Sequence, residues 1–383
     1  MTERLFEKDP YIREFDARVV ECIEDGDKYL VQLDRTAFFP EGGGQPGDRG
    51  YLGKAVVFDT HEKEGCIWHQ TDSPLAIGDK IYGILDWNFR YSNMQNHAGE
   101  HIVSGLIHQK YGFDNVGFHM GSDGITLDIN GELTKEQVEA IEEEANRAVQ
   151  DNIPIQVTIP AKDVLKQMDY RSKKALEGDV RIVEIPGIDV CACCGTHPLK
   201  TGEIHLIKIL SLQNYKGGGR ILMVAGMRAL ADYAGKHESI IEISHLLSAK
   251  TGEVCEAVSR LQKENADLKF RLVRMKKELL AVKAENFGAD KDVICVQEPD
   301  LNGNELREYA NLLIQKAKRV LVLSDGGDDR WRYVLADGNG KAKELGAEIQ
   351  TLFDGKGGGS PAMIQGTMTG TFKDIQQWIE THL

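Results

Sequence analysis

Residues 95–105 read QNHAGEHIVSG and set His97 and His101 four apart, with Glu100 between them, in a run of helical character. Residues at i and i+4 share a helix face, so two ring nitrogens can reach one ion. A helix with two merely satisfied histidines is the bland alternative, and the pair alone does not decide. CACCGTH, residues 191–197, supplies the other half: Cys193 and His197 are again four apart, across a Gly195-Thr196 step that reads as a tight turn. Two nitrogens from a helix plus a thiolate and a nitrogen from a turn make the tetrahedral N/S set that zinc prefers. Zn²⁺ held by His97, His101, Cys193 and His197 is therefore expected, with Cys194 the alternative thiolate and Cys191 spare. A rival reading takes His97-Ala-Gly-Glu100-His101 as the H-x-x-E-H pattern of inverted zinc peptidases, but it leaves Cys193 and His197 unexplained.

The composition agrees with an intracellular globular chain. At 383 residues it is too long for one ordinary core, so two or three domains are expected. No run approaches the roughly 18 apolar residues of a membrane span, and the charged N-terminus has no signal-peptide core, which predicts a cytoplasmic protein with no membrane association. Seven cysteines are an odd number, three of them within residues 191–194, which suits thiolate ligation in a reducing compartment better than a disulfide framework. A net charge of −14 argues against nonspecific coating of nucleic acid. Local basic runs, YRSKK (170–174) and KFRLVRMKK (269–277), read first as solvated faces.

Around the metal half-sites the chain reads as an α+β multidomain protein. Residues 1–90 carry short β-branched runs broken by Gly, Asp and Pro, as in a small N-terminal β-barrel with a glycine-rich loop. Residues 91–225 hold the zinc half-sites in an α+β layer domain, with a helix starting near Asn93 and another from Thr134, opened by the capping box TKEQ. Residues 226–288 form a long helical or coiled-coil segment. Its seam is Val254, Val258, Leu261, Asn265, Leu268, Leu272, Met275, Leu279, Val282 and Asn286 in alternating steps of four and three. Such a seam needs a partner: a homodimer is favoured over a fold-back hairpin. Residues 289–383 alternate strands and helices in a small C-terminal α/β domain, with a glycine run before the last helix.

Five stretches in order, LDRTAFFPEGGGQPGDRG (33–50), NHAGEHI (96–102), GFHMG (117–121), YRSKKALEGDVRIVEI (170–185) and CCGTH (193–197), resemble the editing domain of alanyl-tRNA synthetase and its freestanding AlaX relatives. The tail, residues 334–366, resembles the C-terminal domain of that synthetase, also found in DHH phosphoesterases. Nothing before Tyr11 could hold an aminoacylation domain, and no Asp-His-His triplet is present, so neither charging nor phosphoesterase chemistry is expected. The resemblance implies the long form of AlaX, a trans-editing hydrolase that deacylates tRNA-Ala carrying serine or glycine. In that chemistry zinc either activates water or orients the substrate, and a four-ligand site must open or expand to act.

The resemblance also nominates further residues. It places His119 on a strand beside the zinc, either to hydrogen-bond the substrate or its terminal adenosine or simply as a histidine on a strand face, gives Glu100 a choice between orienting a ligand histidine and being solvated, and closes the loop Gly42, Gly43, Gly44 and Gln45 over the acyl pocket. A hydroxyl able to pair with the serine side chain would be left unpaired by alanine, and Thr36, Ser122 and Thr126 are the candidates. Lys356, Gly357, Gly358 and Gly359, in the loop GKGGGSP (355–361), are the tRNA-binding candidates, since folded RNA offers phosphates and 2′-hydroxyls. A 34-residue helix, about 50 Å long, suits the span from the outer corner of tRNA to its acceptor end. The non-enzyme alternative is a tRNA-binding protein whose zinc is structural.

Overall fold

The computed structural model describes residues 2–121, 124–172, 179–326 and 330–381. It divides into two compact units, residues 1–242 and 243–383.

In the first unit, strands β1 (Glu14–Asp25), β2 (Lys28–Leu33), β3 (Gly50–Leu52), β4 (Ala55–Lys63), β5 (Cys66–Thr71) and β6 (Lys80–Leu85) close a barrel in the order β1-β2-β5-β4-β3-β6. Alternation along β1 sends Phe15, Ala17 and Val19 inward, where they meet Val31, Leu33, Phe38, Leu52 and Val57.

The barrel runs straight into helix α1 (Trp87–Tyr111), whose N-cap Asp86 accepts from the Phe89 amide. The helix thus starts about two turns before Asn93, where the sequence reading placed it. The aromatic run Trp87-Asn88-Phe89 passes for a strand end, and Asp86 was the overlooked start signal. Arg90, in the helix's first turns and fully buried, pairs with the Asp48 carboxylate and donates to the carbonyls of Pro10 and Ala37. Asp48 also accepts from the Phe39 amide, so one buried ion pair clamps both ends of the 39–48 loop to the helix.

Beyond α1 lie β7 (Asn115–Met120), β8 (Ile125–Ile129), α2 (Lys135–Gln150), β9 (Gln156–Thr158), β10 (Ile182–Ile185), β11 (Asp189–Ala192), β12 (Ile207–Tyr215) and β13 (Gly218–Ala225). They form an antiparallel sheet β12-β13-β8-β7 and a smaller one, β9-β10-β11. Helix α2 opens on the expected capping box, Thr134 with Gln137. Helix α1 packs against both sheets, so residues 93–107 are buried on every face although many are polar. Each such group must then find a partner. Asn96 exchanges two hydrogen bonds with the backbone of Ala225, and Gln95 donates to the Glu203 carbonyl.

Helix α3 (Met227–Leu247) leads from the first unit into the second. The second unit begins with α4 (Val254–Glu285), so the 226–288 stretch is two helices parted at residues 248–253. It continues through β14 (Lys291–Gln297), α5 (Gly303–Leu313), β15 (Ala317–Asp325), β16 (Arg330–Asp337), α6 (Ala342–Leu352), β17 (Lys356–Gly359), β18 (Met363–Thr369) and α7 (Phe372–Thr381). The sheet order is β14-β15-β16-β18-β17, with helices covering both faces. Leu280 and Ala284 of α4 join the core beneath α5, whereas the heptad residues Leu268, Leu272 and Met275 are 63%, 56% and 63% exposed. Beyond buried Val254, the apolar seam is therefore uncovered in the single chain.

Candidate metal centre

The two half-sites meet. Ligand atoms of His97, His101, Cys193 and His197 lie within 4.8 Å of one another, and Cys193 Sγ is 3.4 Å from His97 Nε2 and 3.8 Å from His197 Nε2. Tetrahedral zinc with N and S ligands requires ligand separations of about 3.3–3.6 Å, so small adjustments would close the set. His101 Nε2 is buried and has no hydrogen-bond partner among the described residues, as a nitrogen reserved for a metal must be. The donor set fits Zn²⁺. Cys194 is exposed, and Cys191 groups with His101 and Asp189 but not with His97 or His197, so Cys193 is the thiolate that all three rings share.

Tertiary contacts, not local sequence, aim these side chains. Nδ1 of His101 donates to Asp189 Oδ2 at 2.8 Å, and Asp189 Oδ1 accepts from Arg171 Nε at 2.8 Å. Nδ1 of His97 donates to Gln45 Oε1 at 2.9 Å, while Gln45 Nε2 donates to Thr196 Oγ1 at 2.9 Å. Phe118 stacks on His97 at 5.2 Å between centroids. Cys193 Sγ accepts from the Gly195 amide. Without metal, burial alone would lower His101, but Asp189 together with the neighbouring Cys191 and Cys193 outweighs it and holds the ring well above the ordinary histidine value. Burial would likewise raise the Cys193 thiol, yet the surrounding imidazoles, His97 and the hydrogen-bonding His101 among them, hold it well below its usual value. Burial pushes His197 down to about 3, leaving it neutral. A thiolate among imidazoles is the state a cation would take up.

Several residues nominated by sequence fall elsewhere. Glu100 is buried, but its Oε1 accepts from Asn115, and Asp189 is the carboxylate that holds His101. With Cys193 and His197 completing the metal set, the peptidase reading has no task left for Glu100. On β7, Phe118 and Met120 face the α1 core, so strand alternation turns His119 to the other face, exposed, beside its cross-strand neighbour Thr126. Ser122 lies outside the described residues. Gln45 is at the site, behind His97 and not on an open face. Gly43 and Gly44, both at positive φ, form the corner of a two-residue turn closed by the Gly42–Gln45 pair of hydrogen bonds, and Gly43 lies against Cys194. Lys356, Gly357, Gly358 and Gly359 form an exposed edge strand paired to β18, not a loop, because glycines permit the close approach of Gly366 opposite. Asp189, Arg171 and Phe118 were not singled out by sequence.

Thr36 is in the barrel core, not at the metal centre. Its hydroxyl lies 2.8 Å from Nε2 of buried His69, whose Nδ1 donates to the Val31 carbonyl at 2.9 Å. Burial lowers His69 to about 4, against about 6.5 in the unfolded chain. The unfolded state therefore binds the extra proton, and the stability that neutral His69 contributes above pH ~6.5 is lost as pH falls towards 4, by roughly 3 kcal/mol. Thermal unfolding between pH 7 and 4.5 should show this loss, and His69→Gln should flatten it; an unchanged pH slope would refute the assignment.

Comparison with known proteins agrees with this geometry. The family model of the threonyl and alanyl tRNA synthetase second additional domain matches residues 180–221, which include the cysteine turn. That of class II (A) tRNA synthetases matches residues 11–89, the barrel. The chain is 31% identical to alanyl-tRNA editing protein AlaX-L of Pyrococcus horikoshii, over 98% of its own length and 96% of that protein. It is 29% identical to alanyl-tRNA editing protein Aarsd1-B of Xenopus laevis, over 94% and 92%. Against alanine–tRNA ligase of Natronomonas pharaonis the identity is 33%, over 93% of this chain but 40% of the ligase. Matched over nearly its whole length by an alanyl-tRNA editing protein, and bearing a His-His-Cys-His cluster shared by helix and cysteine turn, the chain belongs to the AlaX family of alanyl-tRNA editing proteins.

Proposed function

We propose that the chain is a cytoplasmic aminoacyl-tRNA deacylase that hydrolyses, in trans, the ester of tRNA-Ala misacylated with serine or glycine, using Zn²⁺ held by His97, His101, Cys193 and His197. The observation that carries this reading is the convergence of those four side chains from two segments nearly a hundred residues apart. Zinc held there would polarise the ester or fix the substrate's amino group. The chain's own residues do the rest. Gln45 and Asp189 each hold a ligand ring by Nδ1 so that Nε2 faces inward, and the Gly195 amide steadies the Cys193 thiolate. The glycine turn, clamped through Asp48 and Arg90, keeps Gln45 in place and brings backbone close to the cysteine turn.

The assay is direct: serine, glycine and alanine esters of tRNA-Ala are incubated with the protein, and ester loss is followed. Loss of the serine or glycine ester with the alanine ester spared supports the reading; binding without turnover by zinc-loaded protein would favour the non-enzyme alternative. No helix among the described residues is long and apolar enough to cross a membrane.

We further propose that tRNA contacts use Lys356 to Gly359, whose exposed edge strand offers backbone donors, and that the α4 seam pairs two copies of the chain. The seam runs through a 32-residue helix, about 48 Å long, and leaves seven-residue-spaced apolar side chains in water. Leu268→Lys with Leu272→Lys should convert a dimer into a monomer by light scattering, and an unchanged mass would exclude this surface.

A further inference from the structure

The three imidazoles of the cluster are not held alike. Nδ1 of His101 meets a carboxylate, Nδ1 of His97 meets a neutral amide, and Nδ1 of His197 is buried with no hydrogen-bond partner among the described residues. A carboxylate behind a ligating imidazole fixes the ring and strengthens it as a donor, and losing such a partner typically costs 10–100-fold in metal affinity. Asp189 is built for the task. It is 5% exposed, and Arg171 neutralises it through Nε. The same guanidinium reaches back through Nη2 to Ser104 Oγ at 2.8 Å, one turn past His101 on α1. The carboxylate is thereby tied to the helix that carries its histidine. Among the described residues nothing comparable steadies His197.

We propose that the ligand set is graded: Asp189, held by Arg171, acts as the positioning residue that makes His101 the anchoring ligand, and His197 is the ligand that lets go first. The grading answers the difficulty of a four-ligand site, which is closed unless one ligand yields. It rests on the reading that these four side chains share one metal ion.

The test uses the full-length protein and Co²⁺, whose visible spectrum reports coordination number and thiolate ligation without reference to activity. Asp189→Ala should weaken Co²⁺ binding by about 10–100-fold, with Asp189→Asn retaining part of the affinity because its side-chain oxygen can still accept from Nδ1. Arg171→Lys should fall between Asp189→Asn and the unaltered protein. His197→Ala should keep Co²⁺ with an altered spectrum that free imidazole restores, whereas His101→Ala should lose the metal and not be rescued. Circular dichroism checks folding, and His101→Gln replaces His101→Ala if the smaller side chain unfolds the domain. Equal losses at His101 and His197, or wild-type affinity in Asp189→Ala, would overturn the grading while leaving the shared site intact. Failure of the unaltered protein to bind Co²⁺ would overturn the shared site and the grading together.

Discussion

Cys193→Ala should strip the metal from the protein and abolish ester hydrolysis. Cys193 brings the cluster its one thiolate, and its negative charge is what makes a buried dication tolerable among three neutral rings. Its loss should cost more than the roughly 10–100-fold in metal affinity expected for an outer partner. Deacylation of the serine ester of tRNA-Ala should fall by at least about 10²-fold, the scale on which removal of one preorganised stabiliser of a developing oxyanion acts. Cys194→Ala is the control: exposed and beside Gly43, it should leave metal content unchanged. Metal-to-protein ratio after gel filtration against a chelator, together with the initial deacylation rate, checks both. Full activity in Cys193→Ala, or metal loss in Cys194→Ala, would reverse the assignment.

Gly195→Ala should damage the same centre without touching a ligand. A Cβ at Gly195 would lie 2.2 Å from Cε1 and 2.4 Å from Nδ1 of His97, and 3.0 Å from Gln45 Oε1. No methyl fits there, and neither neighbour can retreat easily: His97 is packed against Phe118 and Gln45 is wedged between His97 and Thr196. Overpacking of this kind costs about 1–3 kcal/mol, and here it falls on the ring's hydrogen bond. Metal affinity should drop by 10-fold or more, as for loss of an outer partner, with deacylation falling in step. Thermal stability would fall modestly, and the far-ultraviolet circular dichroism would stay that of the folded chain. Wild-type metal affinity would mean that the cysteine turn is looser than described.

How much of this the sequence carries follows from the range of each contact. The four ligand candidates were legible because each pair lies four apart, within one helix face or one turn. Their partners were not. Asp189 meets His101 across 88 positions and Gln45 meets His97 across 52, distances over which no spacing rule reaches. Glu100 drew notice as the local carboxylate, three past His97, yet it accepts from Asn115, and the carboxylate that holds His101 comes from Asp189 on a distant strand. For His119 the signal lies in the alternation itself: Phe118 and Met120 are the apolar alternates of NVGFHM, which leaves His119 on the outer face. Thr36 looked like a pocket hydroxyl because its loop resembles one, whereas the barrel uses it to satisfy His69. The glycines of β17 disguised a strand, since glycine has poor strand propensity and only the pairing with β18 fixes it.

X-ray absorption at the zinc edge of the purified protein tests the central claim most directly. A single zinc per chain with three nitrogen neighbours at about 2.0–2.1 Å and one sulfur at about 2.3 Å is the predicted result. A protein without zinc, or zinc surrounded by oxygen and nitrogen with no sulfur, would contradict it.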